Sequence, residues 1–342
     1  MSAEALHAGP LRIGVAGAGA IGCTLAVLLA RAGMAVHVLA RGETLRRMQD
    51  EGVTLHRQGQ RWQAEVMASG NAAELGVQDV LFLCVKSQDV ASMLAAARAM
   101  VGPQTTVVPL VNGVPFWFFQ GLPGRWHGRA VRCVDPEGSL LQQVDACQVL
   151  GAVTFITAER LGPAEAASDN PLLIVLGEID HRPDSTRLER IAAALREAGI
   201  ETRCVPAVRD TLWTKILANL TSNPLSVISG ATLDAIYSDA RLLPIVRQML
   251  QEGLALAAAY GARITFDPIS FIAEGAALGA VRTSMLQDYL AGRSLELAAI
   301  GDAVLELAQM QGIAMPVTER VIGLAHFREE TVFTGKRKEA IP

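Results

Sequence analysis

The chain has 342 residues, with 30 basic and 34 acidic side chains, a formal net charge of −4 and a mean hydropathy of +0.30. This length is enough for two domains that each bury a core. The slightly acidic balance argues against nucleic-acid binding, which needs a concentrated positive field. The uncharged stretch 13–30 is rich in glycine, and we expect a nucleotide-binding loop there rather than a membrane span.

The cysteines and histidines are scattered along the chain. The five cysteines never form a CxxC pair, and the six histidines never form an HxxxH pair. Such a distribution is typical of reduced thiols in a cytoplasmic protein rather than of disulfides or a zinc site. We therefore expect a cytoplasmic protein without a bound metal.

Short apolar runs alternate with helical patterns over the first two hundred residues. Runs such as 80–85 and 106–111, unbroken by polar residues, are typical of strands buried on both faces of a parallel sheet. The predicted strands are 11–16, 35–40, 80–85, 106–111, 149–156 and 172–177, and the predicted helices are 21–32, 90–100 and 185–198. This alternation predicts a Rossmann-type, doubly wound α/β domain over residues 1–206.

The pattern changes after Pro206. From there to about residue 311 nearly all the periodicity is helical, interrupted at isolated glycines and prolines. We predict an all-helical second domain over residues 207–342 that carries the substrate and catalytic groups.

A glycine-rich loop lies between the first predicted strand and the helix after it. A GxGxxG loop in this context binds the pyrophosphate of a dinucleotide, because glycines allow a tight turn and the helix N-terminus attracts anions. The loop consists of Gly17, Ala18, Gly19, Ala20, Ile21 and Gly22.

Arg41 ends the second predicted strand, nineteen residues after Gly22. NAD sites usually place a carboxylate here to hold the ribose 2′-hydroxyl, whereas a guanidinium binds a 2′-phosphate. The sequence therefore favours NADP(H), with a solvated loop arginine as the alternative.

Lys86 and Asn112 directly follow two further predicted strands. Ligands of open parallel sheets bind beyond the carboxyl ends of the strands, so both side chains are candidates for cofactor or substrate contacts. Ordinary loop residues are the alternative.

Two polar groups mark the helical domain. Lys215, Asn219 and Asn223 recur at i, i+4 and i+8 on an otherwise apolar helix, where they need either a polar ligand or a network of their own. Further along, Ser284 precedes Asp288 by four residues. Glu296 begins another apolar helix, and its alternative role is that of a first-turn acid in a helix capped by Ser294.

These segments together resemble the ketopantoate reductase (2-dehydropantoate 2-reductase) family. The resemblance rests on GAGAIG at 17–22, Arg41, VKSQDV at 85–90, VNGVPFW at 111–117, WTKILANLTSNP at 213–224, TSMLQD at 283–288 and GRSLE at 292–296. It implies that NADPH bound to a Rossmann domain reduces a small 2-oxo acid in a cleft that the helical domain closes. It also implies a place in pantothenate biosynthesis.

The resemblance assigns roles to individual residues. Lys215 corresponds to the general acid, and Asn219, Asn223 and Ser284 correspond to substrate ligands. Asn112 would lie between substrate and nicotinamide, and Glu296 would face the cofactor ribose and the lysine. Val85, Lys86 and Ala158 complete the predicted cofactor contacts.

The sequence departs from the family at Leu233, where some members have a further substrate asparagine. This departure bears on the substrate more than on the chemistry. The alternatives are therefore a reductase of a different 2-oxo acid and a non-catalytic NADP(H)-sensing protein. We expect a small-molecule partner and neither nucleic acid nor membrane, and a homodimer is left open.

Overall fold

The computed structural model describes residues 9–169 and 172–339. Its contacts divide the chain into two units. The first contains the chain up to residue 111 with segments 119–130 and 138–208, and the second contains segments 112–118 and 131–137 with the chain from residue 209 onward. The main division therefore lies two residues from the predicted one. The short segments that join the second unit leave no signal in local periodicity. Residues 1–8, 170–171 and 340–342 of the predicted domains lie outside the described residues.

The first unit combines strands and helices. Its strands are β1 (Arg12–Ala16), β2 (Ala35–Leu39), β3 (Val53–Arg57), β4 (Gln60–Ala64), β5 (Met67–Ser69), β6 (Val80–Leu83), β7 (Thr106–Pro109), β8 (Leu150–Thr154), β9 (Glu159–Gly162), β10 (Glu165–Ala167), β11 (Leu173–Glu178) and β12 (Glu201–Cys204). Its helices are α1 (Ala20–Arg31), α2 (Gly42–Glu51), α3 (Ala72–Leu75), α4 (Val90–Ala96), α5 (Leu140–Gln143) and α6 (Thr186–Glu197).

The main sheet has five parallel strands in the order β5-β2-β1-β6-β7. β6 and β7 are buried throughout, and β1 is apolar and buried after the exposed Arg12, which explains why these runs show no polar alternation. Within the sheet, β2 lies on one side of β1, and β6, which comes later in the chain, lies on the other side of β1. The strand order therefore reverses beside β1, where such sheets bind ligands. The predicted α/β Rossmann-type class is confirmed.

Two smaller sheets complete the first unit, with strand orders β4-β3-β10-β9 and β12-β11-β8. The sequence predicted β8 and β11 but not β3, β4, β9, β10 or β12. The hairpin between β3 and β4 turns at Gln58 and Gly59, both with positive φ (50° and 72°), as a two-residue turn requires. β4 is largely exposed and mostly polar, so the search for apolar runs could not detect it.

In the second unit, all of the regular secondary structure that the structure describes is helical. The helices are α7 (Val208–Ser229), α8 (Leu233–Ser238), α9 (Leu243–Ala259), α10 (Pro268–Ala277), α11 (Ser284–Leu290), α12 (Ala303–Gln311) and α13 (Pro316–Glu339). A π turn, Ala298–Asp302, directly precedes α12. The predicted all-helical character is confirmed.

A small apolar cluster fixes the neighbourhood of Glu296. It joins α7, α11, the π turn and α13 through Val227, Met285, Leu295, Leu297, Ile300 and Ala325. Burial of these side chains on both sides of Glu296 holds its backbone between packed helices. Among the described residues, no helix is both long enough and apolar enough to span a bilayer.

Candidate active site

The glycine-rich loop joins the end of β1 to the start of α1. At two of its glycines, neighbouring protein atoms leave no room for a side chain. Gly17 has φ +102°, and a Cβ there would lie 2.5 Å from the Val85 side chain. A Cβ at Gly22 would collide with the Gly17 carbonyl oxygen. The Gly17 N–H also donates to the Leu39 carbonyl at 3.2 Å, which ties the loop to the end of β2. The turn is therefore built to one shape.

Gly19 differs from its neighbours because, within the part of the chain that the structure describes, no contact requires a glycine there. Its φ is −78°, and the nearest atom to an added Cβ is the Cys84 carbonyl oxygen at 3.8 Å. Gly19 is the N-cap of α1, and no side chain caps this helix or places an acid in its first turn. Open space above uncapped N–H groups fits a pyrophosphate that approaches the backbone closely. Ala18, Ala20 and Ile21 complete this loop and first turn.

Arg41 occupies the N-cap position of α2, just beyond β2, and is exposed. In the first turn of the same helix, the Thr44 hydroxyl accepts a hydrogen bond from Nη2 of Arg160 at 3.2 Å. A second guanidinium therefore lies beside the turn that Arg41 begins. The sequence search did not identify Arg160, because its strand β9 is far along the chain and was not predicted.

The remaining predicted cofactor residues also lie in the first unit. Val85 packs against Gly17, and Lys86 follows it as the N-cap of the 3₁₀ turn Ser87–Asp89. Both are half-buried. Ala158 lies between β8 and β9 and packs against the apolar core of this unit.

The polar stripe of α7 is formed as the spacing predicted. Lys215 and Asn219 are half-buried and Asn223 is buried, on a helix whose intervening residues are apolar. Burial lowers the pKa of Lys215 from 10.5 to about 8, and the nearby Glu296 carboxylate raises it in opposition. At neutral pH, most Lys215 side chains are thus protonated, and the pKa of the ammonium lies about one unit above the pH.

Glu296 lies where the last predicted helix begins. The helix starts at Leu297, and the Glu296 carbonyl accepts the N–H of Ile300 at 3.0 Å. Glu296 itself therefore flanks the N-terminus of the helix, and Ser294 lies two residues upstream of it. The buried Glu296 carboxylate accepts a hydrogen bond from Nδ2 of Asn112 at 3.3 Å. The structure thus brings Asn112, Lys215 and Glu296 together from distant parts of the chain.

Asn112 is held in place by the two residues after it. Gly113 has φ +76°, and a Cβ there would collide with the Ala299 carbonyl. The Val114 N–H donates to that same carbonyl at 2.8 Å. The segment after Asn112 is therefore docked on the π turn.

Ser284 is the exposed first residue of α11, and the buried Thr283 precedes it as the N-cap. The Thr283 hydroxyl accepts the N–H of Leu286 at 3.1 Å and lies 2.6 Å from the Ser226 hydroxyl on α7. These hydroxyls fix the start of α11 against the helix that carries Asn223. Sequence reasoning missed Thr283 as the anchor, although a threonine directly before the first residue of a helix is a recognisable capping signal.

Part of the α7 stripe does have partners within the protein. The Ser222 hydroxyl donates to Oδ1 of Asn223 at 3.4 Å.

Asp288 lies on α11, four residues after Ser284, and its carboxylate pairs with the Arg293 guanidinium at 2.7 Å. Asp288 is therefore engaged in an ion pair. The Lys215 ammonium lies near the Glu296 carboxylate, on the helix that also carries the Asn219 and Asn223 amides, and it can donate a proton to a polar ligand.

Comparison with known proteins identifies the family of the chain. The family models described as ketopantoate reductase PanE/ApbA and its C-terminal domain match residues 13–181 and 207–329. The chain belongs to the ketopantoate reductase family. It is accordingly an oxidoreductase that uses a pyridine nucleotide and acts on CH–OH groups.

Relatives of the ketopantoate reductase family align over nearly the whole chain. A 2-dehydropantoate 2-reductase of Mesorhizobium japonicum is 33% identical over 92% of this chain and 96% of its own length. A crystal structure of 2-dehydropantoate 2-reductase from Geobacter metallireducens has a TM-score of 0.81 at 26% identity, covering 92% of this chain and 99% of that one. A D-mandelate dehydrogenase solved with NADH and anilino(oxo)acetate shares the fold, with a TM-score of 0.79 at 20% identity over 94% of this chain and 99% of that one.

Proposed function

We propose that this enzyme reduces 2-dehydropantoate to pantoate with NADPH in the cytoplasm. The observation that carries the proposal is the half-buried Lys215 ammonium, which lies on the same helix as Asn219 and Asn223 and near Glu296. Membership of the family and the 33% identical 2-dehydropantoate 2-reductase support the choice of substrate.

The chemical task is to protonate an alkoxide as it forms. When bound, NADPH supplies the hydride that adds to the ketone carbon. Lys215 donates a proton from Nζ to the ketone oxygen, which becomes the hydroxyl of the product, and Lys215 is left as a neutral amine. A pKa of about 8 suits this role, because the amine is protonated at neutral pH yet gives up its proton readily.

The other polar residues of the second unit hold the substrate and the acid in place. Asn219, Asn223 and Ser284 supply amide and hydroxyl groups for the substrate. Glu296 keeps Lys215 protonated against the effect of burial and fixes the Asn112 amide by accepting its hydrogen bond.

The preference for NADPH over NADH rests on the first unit. Gly17, Gly19 and Gly22 shape a loop that fits the pyrophosphate, and Arg41 stands at the strand end where an NAD site carries an acid. A guanidinium at this position binds a 2′-phosphate through charge-assisted hydrogen bonds.

The decisive experiment measures oxidation of NADPH by its absorbance, with 2-dehydropantoate compared with unbranched and aromatic 2-oxo acids. The proposal expects the highest kcat/KM for 2-dehydropantoate and little activity with NADH. A second candidate, reduction of a different 2-oxo acid, is favoured by Leu233 at a position where the family can carry a substrate asparagine. A higher kcat/KM for an unbranched or aromatic acid would select that candidate, and NADPH binding without any turnover would reject both.

A further inference from the structure

The segment that carries Glu296 contains an unusual turn. A helix begins at Leu297, widens into the π turn Ala298–Asp302 and continues as α12. A π turn disturbs the regular hydrogen-bond ladder, so its carbonyls can bond to other segments. Here the Ala299 carbonyl accepts the Val114 N–H, which couples the π turn to the residues that follow Asn112.

Three residues of α13 hold this segment at its start, middle and end. Oε1 of Glu329 accepts the N–H of Leu295 at 2.8 Å, directly before Glu296. Nε2 of His326 lies 2.9 and 3.0 Å from the two carboxylate oxygens of Asp302, the last residue of the π turn. Between these contacts Ile322 packs against Gly301, where an added Cβ would lie 2.5 Å from Cδ1 of Ile322.

Ile322, His326 and Glu329 are spaced at i, i+4 and i+7, which places them on one face of α13. The three contacts described above are made to the Leu295 N–H, to Gly301 and to the Asp302 carboxylate. They fix the chain on both sides of Glu296, whose carboxylate accepts the Asn112 amide and raises the pKa of Lys215.

We propose that this face of α13 positions the Glu296 carboxylate, with Glu329 as the principal positioning residue and His326 as the second. The inference rests on the proposed function only for the chemical roles of Lys215 and Glu296. Removing the Glu329 contact frees the backbone of Leu295, so Glu296 spends more time away from Lys215. Because Coulombic attraction falls with distance, the support that Glu296 gives to the ammonium then weakens.

The test follows Lys215 directly and needs no turnover. The sequence contains four lysines, Lys86, Lys215, Lys336 and Lys338. In protein labelled with ¹³C at the lysine ε carbons, the signal of Lys215 is the one missing from the Lys215→Arg variant. Its chemical shift is titrated against pH in the full-length protein and in each variant.

Glu296→Gln defines the full downward shift of the Lys215 pKa. We expect Glu329→Leu to produce at least half of that shift, and Glu329→Gln, which keeps an oxygen acceptor for the Leu295 N–H, to titrate like the wild type. Glu319→Leu removes an exposed carboxylate from the same helix and is the matched control, with no expected shift.

Two results would overturn the inference. One is a folded Glu329→Leu variant whose Lys215 titrates as in the wild type. The other is an equal shift in Glu329→Leu and Glu329→Gln, because then the charge of Glu329 acts rather than its hold on the backbone. If Glu329→Leu does not fold, His326→Leu, which removes the donor to Asp302, decides: a downward shift supports the inference and an unchanged pKa rejects it. Failure of the enzyme to reduce any 2-oxo acid would leave these titrations intact, so the two proposals fail separately.

Discussion

Asn112 and Glu296 are 184 positions apart in the sequence, yet the amide of one donates to the carboxylate of the other at 3.3 Å. Burial lowers the pKa of Lys215 and the same carboxylate raises it in part, with a net value of about 8. One carboxylate thus orients an amide and raises the pKa of an ammonium. The candidate active site of the second unit is built around it.

Replacing Lys215 with methionine removes the proton donor while keeping a long, unbranched side chain at this half-buried position. Proton donation contributes typically about 10²–10⁴-fold to a rate, so we expect kcat to fall by about that factor while the Kd for NADPH changes little. Stopped-flow turnover and fluorescence titration of NADPH measure the two quantities. Arg247→Ala, which removes an exposed cation from α9, is the control and should leave kcat unchanged.

The same variant should be more stable at neutral pH. The folded state depresses the Lys215 pKa from 10.5 to about 8, a difference that corresponds to about 3 kcal/mol of cost for holding the ammonium. In the wild type the unfolded chain binds more protons between these two pKa values, so stability should rise with pH between about 8 and 10.5. Urea unfolding of both proteins across this range checks the sign. An equal free energy of unfolding in wild type and Lys215→Met at pH 7 would contradict it.

The pH dependence of reduction should report the Lys215 ammonium. Because the protonated form is the donor, kcat/KM for the 2-oxo acid should be constant below pH 8 and should decline as pH rises through that value. Glu296→Gln removes the charge that raises the Lys215 pKa, so the decline should begin at lower pH. A decline at the same pH in both proteins would assign it to another group.

Arg41→Ala tests how the nucleotide is selected. Charge-assisted hydrogen bonds contribute about 1.5–3 kcal/mol each, so KM for NADPH should rise about tenfold to a hundredfold while KM for NADH stays nearly constant. Arg47→Gln on the same helix is the matched control, because that guanidinium is paired with Glu51 at 3.0 Å. Equal losses with both nucleotides would make Arg41 a structural residue.

Gly19 and Gly22 form a matched pair in the glycine-rich loop. The Cβ of an alanine at Gly19 would lie 3.8 Å from the Cys84 carbonyl oxygen, an ordinary contact, whereas one at Gly22 would collide with the Gly17 carbonyl. We expect the free energy of unfolding of Gly19→Ala to be within about 1 kcal/mol of that of the wild type. The same variant should bind NADPH at least tenfold more weakly. Gly22→Ala should instead be less stable than the wild type, which thermal unfolding measures as a lower Tm. Unchanged NADPH affinity in Gly19→Ala would show that no phosphate approaches this backbone.

Local spacing was enough to predict much of this protein. The apolar runs indicated the buried strands of the parallel sheet, the loop from Gly17 to Gly22 indicated a dinucleotide site, and the i, i+4, i+8 spacing of Lys215, Asn219 and Asn223 placed three polar groups on one helix face. Each of these features depends on residues within about ten positions of one another. Their geometry is therefore set by the regular repeat of a helix, strand or tight turn.

Tertiary structure alone decided which distant groups meet. No local pattern pairs Asn112 with Glu296, directs Arg160 to Thr44 or sets Glu329 against the backbone of Leu295. The exposed strand β4 and the π turn before α12 were also missed, because their form comes from neighbouring segments rather than from their own periodicity. Such contacts arise when separately folded elements pack together, and packing depends on the shapes of whole helices and sheets that a short stretch of sequence does not specify.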